Sequence, residues 1–279
     1  MAQKLKRRKT LYQRAKENAR VQAGATVILP VLFGILIFAL WQGQALHKMF
    51  HTDTFTLPLP TKIGSIFIDN LDKIWENTMS TVSVAFIGLV LGSLLGYIVA
   101  VLASFFPKLG KGGLSIVGAF ASIPIVAMAP VLNNWTKDVS NEASVRSMVA
   151  KIIVVLLVSA ANMSLNAYRG LTELKPYSED LMATYAAKKS TVLIKLRLPN
   201  SVPYIFVALK VAVPASIMTT IVSEYFAEHI TGVGRQIREN IVLAQYSTAW
   251  AYIVTACLLG IISYVILMIV QSILLKKYH

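Results

Sequence analysis

Six long apolar runs, separated by polar segments, dominate the hydrophobic pattern of this 279-residue chain. Each run is close to the roughly 20 residues with which a helix crosses about 30 Å of hydrocarbon. A helix also satisfies its own backbone hydrogen bonds, as lipid requires. The pattern therefore predicts an all-α integral membrane protein with six spans. The runs cover approximately residues 26–46, 81–103, 114–132, 149–167, 204–223 and 249–274.

Composition supports this interpretation. Apolar residues make up 56% of the chain and charged residues 14%, whereas an average soluble domain has about 25% charged residues. These values exclude an ordinary soluble enzyme and a disordered chain. Cys257 is the only cysteine, which rules out a disulfide within the chain.

The net charge of +14 follows the expected topology. With the N-terminus inside the cell, the inner segments hold 18 lysines and arginines and the outer segments hold 7. Because cytoplasmic loops carry the basic excess in membrane proteins, we expect both termini in the cytoplasm. The basic excess then needs no nucleic-acid partner, and the lipid bilayer is the surrounding medium.

The first 25 residues form a basic arm in front of the first run. An arm of this kind is also found in signal peptides, but here the apolar run is too long and no A-x-A-like site ends it. We expect an uncleaved first span, preceded by a cytoplasmic helix at the anionic leaflet surface. The sequence thus predicts an arm at 1–25 and a six-span domain at 26–279.

Three glycines in the second run predict a helix-packing face. Gly88, Gly92 and Gly96 are four residues apart, so they lie on one side of a helix. Small residues there let the backbone of a neighbouring helix approach closely. We assign them no chemical role.

Polar side chains recur within the fourth and fifth runs. Such residues are costly in lipid and usually face the bundle interior or a water-filled path. Two interpretations stay open, namely interhelical hydrogen bonding and a translocation pathway. Pro124, Pro130 and Pro214 likewise either line a pathway or kink their helices. The candidate pathway residues are Asn162, Asn166, Ser216, Thr219, Thr220, Ser223 and Glu224.

The longest predicted cytoplasmic loop is 168–202. Ser178 followed by Glu179 and Asp180 is typical of a helix start, with acids where the helix dipole favours them. We expect a helix from there to Lys188, which a turn joins to a second short helix. The two helices would form a rigid knob against the cytoplasmic face.

The second loop helix is predicted over 192–197. Ser190 or Thr191 can cap its start, and the Leu198-Pro199 pair should end it, because proline cannot continue the hydrogen-bonding pattern. The leucines of this stretch argue against a disordered loop.

The loop resembles the pattern EAA-x3-G-x9-I-x-LP of permease subunits in bacterial binding-protein-dependent ABC importers. The spacing matches throughout, although most residue types differ. Stretches such as FTLPLPTKI, SIPIVAMAPVL and NAYRGL also resemble this family, especially its nitrate/sulfonate/taurine-type branch, whereas NNWTKDVSNEAS departs from it. The matching loop positions are Asp180, Leu181 and Met182 for EAA, Ala186 for the glycine, Leu196 for the isoleucine, and Leu198 and Pro199 for LP.

This resemblance implies a six-helix type I importer permease of the bacterial inner membrane, with a coupling helix between spans 4 and 5. It also implies three partners: a cytoplasmic ABC ATPase dimer, an extracytoplasmic solute-binding protein, and a second permease chain, identical or homologous. The LGKGG stretch at 109–113 lacks the first glycine and the Ser/Thr of a phosphate-binding loop. We therefore expect ATP and Mg²⁺ on the ATPase, and no cofactor, metal or catalytic residue in this chain.

The sequence fits two other classes of protein less well. A self-sufficient secondary transporter or channel should carry ionisable groups deep in its spans, and the runs contain only Lys151 and Lys210, near their ends. A membrane enzyme should show a constellation of His, Asp or Glu, and the four histidines include no H-E-x-x-H motif. The expected solute is a small organic molecule, either a vitamin or pyrimidine precursor or a sulfonate- or nitrate-type anion. The resemblance over 197–239 favours the precursor.

Overall fold

The computed structural model describes residues 19–121, 123–227 and 229–277, and the regular elements in those ranges are all helical. Most of the basic arm predicted at 1–25 lies outside the described residues. The chain divides into two compact units, residues 1–65 and 66–279. The predicted boundary between the arm and the six-span domain stays a prediction.

The first predicted span, 26–46, corresponds to a helix whose apolar part is Ile28–Gln42. The helix ends earlier than expected because Gln44 adopts a left-handed conformation with φ 60°, which begins a new short helix. The first three helices of the chain are α1 (Ala19–Gln42), α2 (Ala45–Phe50) and α3 (Pro60–Asp69).

Four helical segments in the described residues of the second unit are long and apolar enough to cross a membrane. They confirm the helices predicted for the second, fourth, fifth and sixth spans. Each is longer than its apolar run because polar residues at the ends continue the helix. The four are α4 (Leu71–Phe105), α7 (Ala143–Thr172), α10 (Leu198–Tyr225) and α12 (Tyr246–Leu274).

The prediction of a single helix over 114–132 is wrong. The chain instead forms α5 (Pro107–Ala121) and α6 (Ile125–Trp135), which are separated by a break at Pro124. Proline has no N–H to continue the hydrogen bonds and forces the preceding residue away from the helical conformation. Pro130, by contrast, lies inside α6 without ending it.

The glycine face of α4 lies directly against α7. A Cβ added at Gly92 would be 2.5 Å from the carbonyl oxygen of Leu156, and one at Gly96 would overlap the carbonyl of Ala160. Gly88 is equally close to a side chain of α7. The two backbones can approach this closely only because these positions carry no side chain.

The first helix predicted in the loop is α8 (Ser178–Thr184), which ends four residues earlier than expected. Ala186 adopts a left-handed conformation with φ 48°. Its N–H donates to the carbonyl of Ala183 (2.8 Å), and the N–H of Ala187 donates to that of Met182 (3.0 Å). This pair of bonds is a Schellman motif, which satisfies the last carbonyls of the helix and terminates it.

The predicted caps of both loop helices are also wrong. The N-cap of α8 is Tyr177 rather than Ser178, and that of the second loop helix is Lys188 rather than Ser190 or Thr191. Neither start has a side-chain cap bond. Both helices therefore begin without a hydrogen bond from a capping side chain.

The second loop helix does not end at Leu198-Pro199, contrary to prediction. It begins as α9 (Lys189–Val192), passes through a π-helical turn (Leu193–Arg197) and continues directly into α10. A proline lacks the N–H for the carbonyl four residues earlier and crowds it, and the wider π turn relieves this conflict just before Pro199. The result is one helical segment of 37 residues, Lys189–Tyr225.

Candidate functional site

Two polar clusters lie at opposite ends of α4, α7 and α10. We call the end that carries α8 the loop end. The other end carries the GVG turn at residues 232–234, and we call it the turn end. Each end contains a glutamate that bonds to other helices or turns. The glutamate at the turn end is buried, and the one at the loop end is exposed.

One side of α8 is an exposed stripe of large side chains. Leu181 lies at the centre of α8, and Tyr177 and Tyr185 flank the helix at its two ends. Tyr177, Leu181 and Tyr185 are 81%, 59% and 77% exposed, respectively. An uncovered surface of this kind on a short ordered helix is typical of a protein interaction site.

The opposite side of α8 faces a cavity of about 390 Å³. Glu179, Ala183 and Ala187 line it, again at four-residue spacing. Ser104 at the end of α4 and Arg197 in the π turn line it from the other side. Space, rather than close packing, thus separates this side of α8 from the helix bundle.

Arg197 connects three elements at the loop end. Its Nη2 donates to Oε1 of Glu179 in α8 at 2.8 Å, and its Nη1 donates to the carbonyl of Ser104 in the last turn of α4 at 2.9 Å. Carbonyls in the last turn of a helix lack intrahelical partners, and a cation is favoured there by the helix dipole. The sequence pattern predicts no role for Arg197 beyond that of a basic loop charge.

The motif-like residues of the loop are spread over α8, the turn after it, the π turn and the start of α10. Leu198, together with Leu193, packs against a buried apolar cluster shared by α4, α7 and α10, so the start of α10 is anchored in the bundle. The positions are Asp180, Leu181 and Met182 in α8, Ala186 in the turn after it, Leu196 in the π turn, and Leu198 and Pro199 at the start of α10.

At the turn end, Glu224 of α10 is fully buried. The hydroxyl of Thr81 lies 2.9 and 3.0 Å from the two carboxylate oxygens and donates to the carboxylate, and the N–H of Gly234 donates to Oε2 at 2.9 Å. Buried Lys151 of α7 acts on this carboxylate by charge attraction. Glu224 therefore joins α4, α7 and α10 to the N-terminal turn of α11 (Val233–Val242), where the helix dipole favours a negative charge.

The GVG turn adds two further backbone donors to this cluster. The N–H of Gly232 donates to Oδ1 of Asn77 (2.9 Å), and that of Val233 donates to the Thr81 hydroxyl (3.0 Å). Gly232 has φ 106°, and a Cβ at this position would overlap the Glu224 carboxyl group. Glycine is therefore required here by both conformation and space.

The structure divides the predicted pathway residues into two groups. Asn162 and Asn166 are half-buried, and each donates to the carbonyl four residues earlier in α7. The second group lies on α10 and is buried inside this chain, an arrangement that favours helix packing over the lining of an exposed path. This group comprises Ser216, Thr219, Thr220, Ser223 and Glu224.

Sequence reasoning missed Asn77 and Thr81. Their four-residue spacing at the start of the second span was a usable signal, since it places two polar groups on one face of a helix. Arg197 gave no comparable signal, because its partners are a backbone carbonyl and a glutamate 18 residues earlier.

A bundle of helices that are long and apolar enough to cross a bilayer is typical of an integral membrane protein. Residues 79–279 match the family described as the binding-protein-dependent transport system inner membrane component. The match spans well over half of the chain, and the chain belongs to this family. It is a permease component of a binding-protein-dependent ABC importer.

Two relatives show the same kind of protein. The chain is 25% identical over 247 residues to the formylaminopyrimidine transport permease protein ThiX of Halalkalibacterium halodurans, covering 88% of this chain and 94% of the relative. It is 26% identical over 199 residues to a probable ABC transporter permease protein of Haemophilus influenzae, covering 71% and 77%.

Solved structures of ABC transporters share the fold. The inward-facing methionine transporter MetNI aligns with a TM-score of 0.52 at 16% identity, over 72% of this chain and 95% of that one. An amino acid ABC transporter crystallised with histidines aligns with a TM-score of 0.55 at 15% identity, over 76% and 94%. The fold is that of a type I importer permease, as the sequence predicted.

Proposed function

We propose that this permease forms half of a translocation pathway for a small organic solute and is driven by a separate cytoplasmic ATPase dimer docked on α8. The observation that carries the proposal is the exposed stripe of Tyr177, Leu181 and Tyr185. Tyrosine is enriched among the residues that carry the binding energy of protein interfaces. The ATPase subunits would hold ATP and Mg²⁺.

The distribution of basic residues supports an orientation with α8 in the cytoplasm. Inner segments carry 18 lysines and arginines against 7 in the outer segments. This orientation puts both termini on the cytoplasmic side of the bacterial plasma membrane. The turn end then faces outward, where a solute-binding protein would deliver the solute.

A second permease chain, identical or homologous, would complete the pathway. Asn162 and Asn166 are the predicted pathway residues that this chain leaves half-buried, so they are the ones available to line a shared path. The buried polar residues of α10 would instead hold the bundle together.

The proposed solute is a pyrimidine precursor of the formylaminopyrimidine class. The name of the ThiX relative supports this assignment, as does the sequence resemblance over 197–239. An oxyanion would need a cluster of basic groups along its path, and the outer halves of the spans show no such cluster in the sequence.

The test is a detergent pull-down of the tagged chain from its native membrane, followed by mass spectrometry and by ligand binding to the recovered binding protein. We expect an ATPase subunit and a solute-binding protein in the eluate. Leu181→Asp should lose the ATPase but keep the membrane fold, because it places a charge at the centre of the docking stripe. Lys195→Gln, an exposed change in the π turn, is the matched control and should retain both partners.

A chain that purifies alone and moves a formylaminopyrimidine into liposomes without ATP would contradict the proposal. That result would favour a secondary transporter. If the Leu181→Asp variant retains the ATPase at wild-type yield, the docking surface lies elsewhere.

A further inference from the structure

We propose that Arg197 is a positioning residue that transmits movement between α8 and the end of α4, an inference that rests on the proposed coupling function. Its guanidinium bonds simultaneously to the Glu179 carboxylate and the Ser104 carbonyl. Movement of α8 against the ATPase would therefore pull directly on a membrane-spanning helix.

The attachment of α8 to the bundle is sparse. Within the described residues, the Glu179–Arg197 ion pair is the one side-chain hydrogen bond or ion pair that joins α8 to another element. The helix has an exposed stripe on one side and the 390 Å³ cavity on the other. An element held this loosely can tilt, and the ion pair determines which part of the bundle follows it.

The other side of the connection is firmly held. Arg197 ends the π turn. Leu193, which begins that turn, and Leu198, the residue after Arg197, pack against the buried apolar cluster at the loop end. The backbone of Arg197 is thus part of the bundle. Its side chain reaches from this anchored position to α8, while Ser104 is the last-but-one residue of α4.

The geometry of the guanidinium suits this role better than a simple charge would. Its planar fork holds two acceptors at fixed directions, whereas a lysine ammonium is a flexible point charge. The Glu179 side chain is 55% exposed, so the ion pair contributes little to stability. Its loss should therefore alter coupling rather than folding.

The experiment uses the complex purified from its native membrane with its ATPase subunits and binding protein. Rates of ATP hydrolysis are measured with and without the binding protein, together with ATP-driven uptake of a formylaminopyrimidine into liposomes. For Glu179→Gln and Arg197→Lys we expect wild-type assembly and basal hydrolysis. Stimulation by the binding protein and uptake per ATP should each fall about threefold or more, as expected for the loss of one partly exposed charge-assisted bond.

A charge exchange tests the pair itself. The double variant Glu179→Arg with Arg197→Glu restores an ion pair between α8 and the π turn, and should recover more stimulation than Arg197→Glu alone. Lys195→Gln removes a nearby exposed charge that has no ion pair in the described structure, and it should behave as the wild type.

The outcomes separate the inference from the proposed function. Wild-type stimulation and uptake in Arg197→Lys and Glu179→Gln would overturn the role of Arg197 and leave the importer function intact. Neither Arg197→Glu nor the charge-exchanged variant can donate to the Ser104 carbonyl, so equal defects in the two would overturn the contribution of the Glu179 ion pair. A wild-type complex that hydrolyses no ATP would instead defeat the proposed function.

Discussion

The two ends of the bundle hold a glutamate in different ways. At the turn end, Glu224 is fully buried and is held by the Thr81 hydroxyl, the Gly234 N–H and the charge of Lys151. At the loop end, Glu179 is 55% exposed and has a single charged partner, Arg197. The buried acid fixes several helices to one another, whereas the exposed acid connects α8 to the π turn through one ion pair.

This difference should separate stability from coupling. Removing a buried hydrogen-bonded acid leaves its buried donors unsatisfied, and each such donor typically costs about 1–3 kcal/mol. An exposed ion pair contributes about 1 kcal/mol or less. We therefore expect substitutions at the turn end to lower the stability of the chain, and substitutions at the loop end to leave its stability unchanged but its coupling impaired.

The largest effect is expected for Glu224→Ala. It leaves two buried donors, the Thr81 hydroxyl and the Gly234 N–H, without their acceptor and opens a cavity, so the free energy of unfolding should fall by about 3–5 kcal/mol. Thermal unfolding of the purified chain in detergent measures this change. Lys151→Met combined with Glu224→Gln removes both charges and should recover part of the loss. A Glu224→Ala protein as stable as the wild type would show that the turn end is not the rigid one.

A smaller loss is expected for Gly232→Ala. Alanine is strained at φ 106°, and its methyl group would overlap the Glu224 carboxyl group. The free energy of unfolding should fall by about 2–3 kcal/mol.

The matched control is Gly260→Ala in α12, where a methyl group meets open space and should be neutral or slightly stabilising. Equal stability of the two alanine variants in the same detergent would rule out a close fit between the GVG turn and Glu224.

The spans were predictable because their signal is local. The length of an apolar run decides whether a helix can cross the bilayer, and the spacing of Gly88, Gly92 and Gly96 lies within one helix. The break at Pro124 was visible as a proline, but the pattern alone did not show that the chain forms two helices there while continuing through Pro130.

The contacts at both ends were less predictable because they depend on tertiary structure. The helix over 178–184 ends where Ala186 turns left-handed, although no glycine marks the position. Arg197 meets Glu179 only after the chain folds back across the cavity. Asn77 and Thr81 become informative only once the GVG turn packs against them.

The smallest predicted effect is at Ala186, where the related motif has glycine. An alanine in the left-handed conformation is strained by roughly 1 kcal/mol relative to glycine, and glycine's greater freedom in the unfolded chain offsets part of the gain. Ala186→Gly should therefore stabilise the end of α8 by about 0.5 kcal/mol, slowing hydrogen exchange of its amides about twofold. Ala183→Gly, the same change inside the helix, should act in the opposite direction because glycine is unfavourable there. If both variants loosen α8, the turn at Ala186 does not limit its order, and the mobility of the loop end has another origin.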